Sequence, residues 1–162
     1  MAIIKNGAIA DNDWRHVADD EPLPEGGASV SLKRWKAEKN SLLGRKAPVG
    51  VRLAAGDAPE DIAGDLQRLG LIVLEMAHFA DGRVFSTARL LRERHGFSGE
   101  LRAKGDFLRD QMFYLARMGV DAFEFAEGVE PEDMLPVFGE FTVKYQAAAD
   151  EPEPLYRRRR SA

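Results

Sequence analysis

The chain reads as an α/β protein: a mostly parallel sheet built from successive βα units with flanking helices, opened by a small N-terminal hairpin. Three observations predict this. Short apolar or alternating runs at 49–53, 71–74, 99–103 and 120–125 are separated by longer stretches whose apolar residues recur every three or four positions. The run Leu71-Ile-Val-Leu74 is apolar throughout, as a strand covered on both faces of a parallel sheet should be. Asn6-Gly7 sits between two short apolar runs, and both residues tolerate the positive φ of a tight hairpin turn.

In chain order, the hairpin is followed by an acidic, Pro- and Gly-rich loop over 17–27. Ala28-Ser-Val30 reads as a short strand. Ser31 is placed to cap a helix that ends near Leu43-Gly44, with Leu32, Trp35, Leu42 and Leu43 on one side. The strand at 49–53 leads to a helix over 57–69, with Pro59 in its first turn and Ile62, Leu66 and Leu69 on one face. After 71–74 comes a helix over 84–95, then the strand at 99–103. A helix over 106–118 carries Leu108, Met112 and Leu115, and the strand at 120–125 follows. A last helix, over 131–141, contains Pro136, for which the periodicity offers no reason. Residues 1–146 form one α/β domain and 147–162 are expected to be a flexible tail, ending in the basic run Arg157-Arg-Arg-Arg160. An open sheet is the simplest closure of this pattern; a partial barrel repeats the same unit, and the pattern does not choose.

Composition narrows function by exclusion. The 162 residues contain no cysteine, so disulfides, thiolate metal sites and cysteine-held iron–sulfur clusters are excluded. The net charge of -4 gives no general affinity for nucleic acid. No run is long enough to span a bilayer and the N-terminus lacks a leader pattern, so a cytoplasmic location is expected. There is no glycine-rich dinucleotide fingerprint, P-loop, nucleophile elbow or zinc-type histidine pair. No cofactor or metal is therefore expected. Trp14, Trp35, Phe113, Tyr114, Phe123 and Phe125 read as core.

Parallel sheets bind ligands beyond the carboxyl ends of their strands. Four loops should leave that edge, at 54–57, 77–83, 104–106 and 126–128. The second is the richest: Asp81, Arg83, Ser86 and Arg89 cluster around a helix start. Arg102 and Lys104 share one side of the next strand, and Asp106 opens the following helix. Together these seven residues are a candidate oxyanion-binding rim. Asp81 and Asp106 have a second reading as helix caps, with the arginines in surface ion pairs. His78, in the same loop, is the one histidine placed to act as an acid or base.

The run Phe79-Ala-Asp-Gly-Arg83, Ser86-Thr-Ala-Arg-Leu-Leu-Arg92, Gly96-Phe-Ser-Gly-Glu-Leu-Arg-Ala103, Gly105-Asp106, Asp110-Gln111 and Gly119-Val-Asp-Ala-Phe123 resembles the bacterial domain of unknown function 934 (DUF934) family. Trp14, the Asp-Asp-Glu-Pro-Leu-Pro loop and Ser31-Leu32 resemble its opening. The resemblance implies an accessory role in assimilatory sulfite reduction, with sulfite reductase as partner and no redox cofactor of the chain's own. An alternative is a small oxidoreductase or oxyanion-binding enzyme using the rim around Asp81-Gly82-Arg83 and Gly105-Asp106. Whether the chain is an enzyme stays open at this point.

Overall fold

A computed structural model of the chain describes residues 2–140 and 143–158. The expected hairpin is there: β1 (Ala2–Lys5) pairs antiparallel with β2 (Ala8–Asp11). Its turn places Asn6 at φ 52° and Gly7 at φ 75°, the pair of left-handed residues that a two-residue turn needs. A short strand that periodicity does not reveal, β3 (Trp14–His16), comes next. Then follow β4 (Gly27–Ser31), β5 (Val49–Leu53), β6 (Leu71–Met76), β7 (Glu100–Gly105) and β8 (Ala122–Phe125).

The helices differ from expectation in kind more than in place. α1 (Leu32–Leu43) begins where the sequence puts it, and the Ser31 hydroxyl accepts the Arg34 N–H at 3.0 Å. The segment Pro59–Arg68 is a 3₁₀ helix rather than an α-helix. Gly64 in its middle lowers α propensity, while Ile62 and Leu66 still reach the core. α2 (Arg83–Arg89) widens into a π turn over Leu90–Arg94. α3 (Arg109–Arg117) starts three residues later than expected, so Asp106 does not cap it; the carboxamide oxygen of Gln111 accepts the Leu108 N–H at 3.0 Å instead. α4 (Pro131–Met134) gives way to a 3₁₀ turn at Leu135–Gly139 because Pro136 has no N–H for an α-type bond. The expected end of that helix, Phe141, lies outside the described residues.

The part of the 147–162 tail that is described is tied down. It ends in α5 (Leu155–Arg158). The Ala149 N–H reaches the Arg117 carbonyl at 3.0 Å and the Leu155 N–H reaches Tyr145 at 3.3 Å. Arg158 pairs with Glu151. Arg159 and Arg160 lie outside the described residues.

All eight strands form one sheet in the order β2-β1-β8-β7-β6-β5-β4-β3. From β3 to β8 each strand pairs parallel with the next in sequence. The hairpin adds antiparallel to β8, with Ile4 opposite Phe123, so the sheet is mixed and not the mostly parallel one expected. The free edge of β8 accounts for this: the hairpin satisfies it, down to the Asn6 N–H on the Asp121 carbonyl at 2.7 Å. Since every parallel step goes the same way, right-handed crossovers carry the helices to one face. Val51, Ile72, Leu74, Leu101, Ala103 and Phe123 of that face join Ile62, Leu91, Met112 and Leu115 in the core.

The sheet is also curled into a partial barrel. β2 and β3 are its two edges, yet only Asn12 and Asp13 separate them in sequence. A link of that length reaches about 11 Å at most. The two edges must therefore approach one another, which enclosed space on the face away from the helices.

The charged barrel interior and its carboxyl rim

Successive side chains of a strand point to opposite faces, so residues between the core positions point into the curl. The polar ones are Ser29 on β4, Arg52 on β5, Glu75 on β6, Glu100, Arg102 and Lys104 on β7, and Glu124 on β8. Lys5, Asn12 and His16 join them from the N-terminal segment. Trp14 fills the other end, where the ring would lie 3.2 Å from a Cβ at Gly27 and 3.0 Å from one at Gly70.

The centre is Arg102, with no exposed surface. Its Nε and Nη2 donate to Glu100 at 2.9 and 2.6 Å. Its Nη1 donates to Glu124 at 2.7 Å and to Asn12 Oδ1 at 2.8 Å. Lys5 closes on Glu100 at 2.7 Å. Glu124 receives, besides Arg102, Lys104 at 3.0 Å and His16 Nε2 at 2.8 Å. Burial pushes the Glu124 carboxyl up, but hydrogen bonds and charge from His16, Lys104 and Arg102 outweigh it and hold the group far below the usual carboxylate range.

Because the Glu124 carboxylate can only accept, His16 Nε2 carries a proton and donates it. Its Nδ1 is hydrogen-bonded to the Ser29 hydroxyl at 2.6 Å. Serine, histidine and carboxylate in line are the parts of a nucleophile-and-base relay. Here the serine is fully buried, and Arg52 crosses it, with Nη1 2.5 Å from the Ser29 carbonyl and Nη2 2.9 Å from that of Val17. No carbonyl substrate can approach that hydroxyl without the barrel opening. The relay braces β3 against β8.

The seven residues of the expected oxyanion rim fall into four places. Arg102 and Lys104 belong to the interior and are engaged by Glu100 and Glu124. Asp81 and Arg83 pair with each other in the loop after β6: Arg83 donates from its backbone at 3.1 Å, from Nε at 2.9 Å and from Nη2 at 2.7 Å. That fork, the side-chain hydrogen bond first, holds Asp81 at a pKa of about 2. Ser86 and Arg89 are exposed on α2, and Arg89 pairs with Glu93 at 2.8 Å. Asp106 is exposed beside Gly105, whose φ of +125° brings the chain against the Met76 carbonyl. Arg83 also reaches the β5 loop, its Nη1 3.5 Å from where a Cβ would stand on Gly56. His78 is exposed, and its carbonyl accepts the Asp81 N–H at 3.0 Å. The strand-end loops do form one rim. Phe79, Leu108 and Val129 stand exposed on three of them, and Tyr114, expected in the core, is exposed on α3.

Among the described residues no group of three or more histidine and carboxylate side chains is arranged to hold a metal, and no helix is long and apolar enough to cross a membrane.

Fold and interior together define a singly wound α/β protein, a partial barrel with an ion-paired lumen. Residues 50–156 match the model of DUF934, a bacterial protein family of unknown function, and the chain belongs to that family. No curated protein matches the chain.

Proposed function

We propose that the chain is an accessory protein of assimilatory sulfite reduction that acts with sulfite reductase, without a redox cofactor of its own, and works by binding rather than by catalysis. The link to sulfite reduction rests on the family resemblance. The observation that supports binding over catalysis is the filled lumen. In barrels of parallel strands, substrate meets side chains at the carboxyl ends. In this chain those side chains are Arg52, Glu75, Lys104 and Glu124, and they are already paired with one another, Arg52 with Glu75 at 3.2 Å and Lys104 with Glu124 at 3.0 Å. The groups left free to meet another molecule are on the rim loops.

The test is genetic and biochemical. Deleting the gene should impair growth on sulfate or sulfite as sole sulfur source and spare growth on cysteine. Complementation with Ser29→Ala should restore growth fully, because no chemistry passes through that hydroxyl. Equal growth of the deletion strain on sulfite, with full sulfite reductase activity in its extracts, would end the proposal. A Ser29→Ala chain that folds but does not complement would replace binding with catalysis.

A further inference from the structure

Phe79, Leu108 and Val129 lie in the loops that follow β6, β7 and β8, three neighbouring strands. They are 50%, 48% and 40% exposed. Gln111 holds the first two in place: its carboxamide donates to the Phe79 carbonyl at 2.5 Å and accepts from the Leu108 N–H at 3.0 Å. Two of the three loops are thus tied together through one side chain, while all three apolar side chains are exposed. Large apolar groups gathered in this way mark interaction surfaces.

The surrounding charge selects the occupant. Asp106, Asp110, Glu127 and Glu130 are exposed in the same loops or at the start of α3, and none has an ion-pair partner among the described residues. The nearby cations are committed elsewhere: Arg83 to Asp81, Lys104 to Glu124 and Arg109 to Glu140. This sector is therefore apolar at its centre and negative around it. A second copy docked rim to rim would set carboxylates against carboxylates, which is repulsive in a symmetric contact.

We propose that Phe79, Leu108 and Val129 anchor a docking surface for a protein partner whose own contact is an apolar segment bordered by lysine and arginine. The inference rests on the accessory reading and gives it a surface. Apolar contact supplies the affinity, and the carboxylates supply orientation and the rate of encounter.

Purified full-length chain and purified sulfite reductase from the same bacterium provide the test, by biolayer interferometry at low and at physiological salt. The wild type should bind, and more weakly as salt rises. Phe79→Ser with Leu108→Ser should weaken binding about tenfold or more, as loss of a central anchor does. Glu127→Lys with Glu130→Lys should weaken it as well and abolish the salt dependence. Ile9→Ser, at an exposed position on β2 away from this rim, should change nothing. Circular dichroism confirms that each variant is folded. Binding that survives both rim double variants overturns the docking surface and leaves the accessory reading standing. Absence of binding by the wild type overturns the accessory reading, and the surface with it. Concentration-dependent dimers of the wild type that the rim variants abolish would assign the patch to a second copy and overturn the proposal.

Discussion

His16 and Glu124 stand on strands five places apart in the sheet order, yet the imidazole Nε2 lies 2.8 Å from the carboxylate. In a flat sheet five strand spacings amount to about 24 Å. The contact is therefore a direct measure of the curl. It also makes the lumen's ion pairs part of the architecture, because Glu124 bonds side chains from β3, β7 and the link that closes the barrel.

Removing the Glu124 charge should accordingly unfold the chain more easily. Glu124→Gln leaves Arg102 and Lys104 without the carboxylate between them, and loss of one member of a buried pair costs about 3–5 kcal/mol. Adding Arg102→Met should cost less than the sum of the two single changes, since the second removes a cation the first has stranded. Urea denaturation of the two single variants and the double variant gives the coupling directly.

The same carboxylate sets the acid limb of stability. The folded pKa of Glu124 is depressed from its ordinary 4.5, so its contribution is complete above that value and is lost as pH falls through the folded pKa. Asp121 has the opposite sign: burial raises its carboxyl more than Arg92 lowers it, so its contribution is present at acid pH and is lost as pH rises through the raised value. Melting temperature followed from neutral to strongly acid pH should fall in the wild type, and the fall should be shallower in Glu124→Gln.

Asp81 occupies the Nε and Nη2 of Arg83, and this decides how well the rim holds a free anion. Asp81→Asn withdraws the competing charge and should raise sulfate or sulfite affinity several-fold over the wild type. The melting temperature should hardly move, since the Arg83 side chain it releases is solvent-exposed. Isothermal calorimetry with the two proteins is the measurement, and equal heats in both would remove Arg83 from consideration as an anion ligand.

Two glycines make a matched pair for backbone strain. A Cβ on Gly105 would lie 2.2 Å from the Met76 carbonyl oxygen at φ +125°, whereas one on Gly64 meets nothing within 4 Å. Gly105→Ala should destabilise by more than about 1 kcal/mol, and Gly64→Ala should be neutral or stabilise by up to about 1 kcal/mol. Chemical denaturation separates them.

The apolar half of this fold was legible in the sequence. Leu71 to Leu74 are at most 1% exposed, the Asn-Gly turn forms, and Ser31 caps α1, because each is a local pattern with a local cause. Tertiary placement was not legible. β3 has three residues and no period, and only the brevity of the Asn12-Asp13 link and its distant partners put it at the far edge. The charged lumen did leave a trace: Ser29, Arg52, Glu75, Arg102 and Glu124 are single polar residues set among apolar ones on successive strands. That alternation describes a sheet with two different faces, both covered. Reading Arg102 and Lys104 as rim cations kept the spacing of two but missed that the side they share is the inside.

The two-residue link also orders events during synthesis. His16 is made early, but its carboxylate partner is 108 positions later, and Asn12 waits 112 positions for the same group. Until β8 leaves the ribosome, the first hairpin has no strand to dock on and Arg102 lacks its Glu124 partner. Contacts of such long range are slow to form. The first hairpin therefore waits for β8, and a nascent chain stalled before β8 would leave Lys104 and His16 without the carboxylate that joins them.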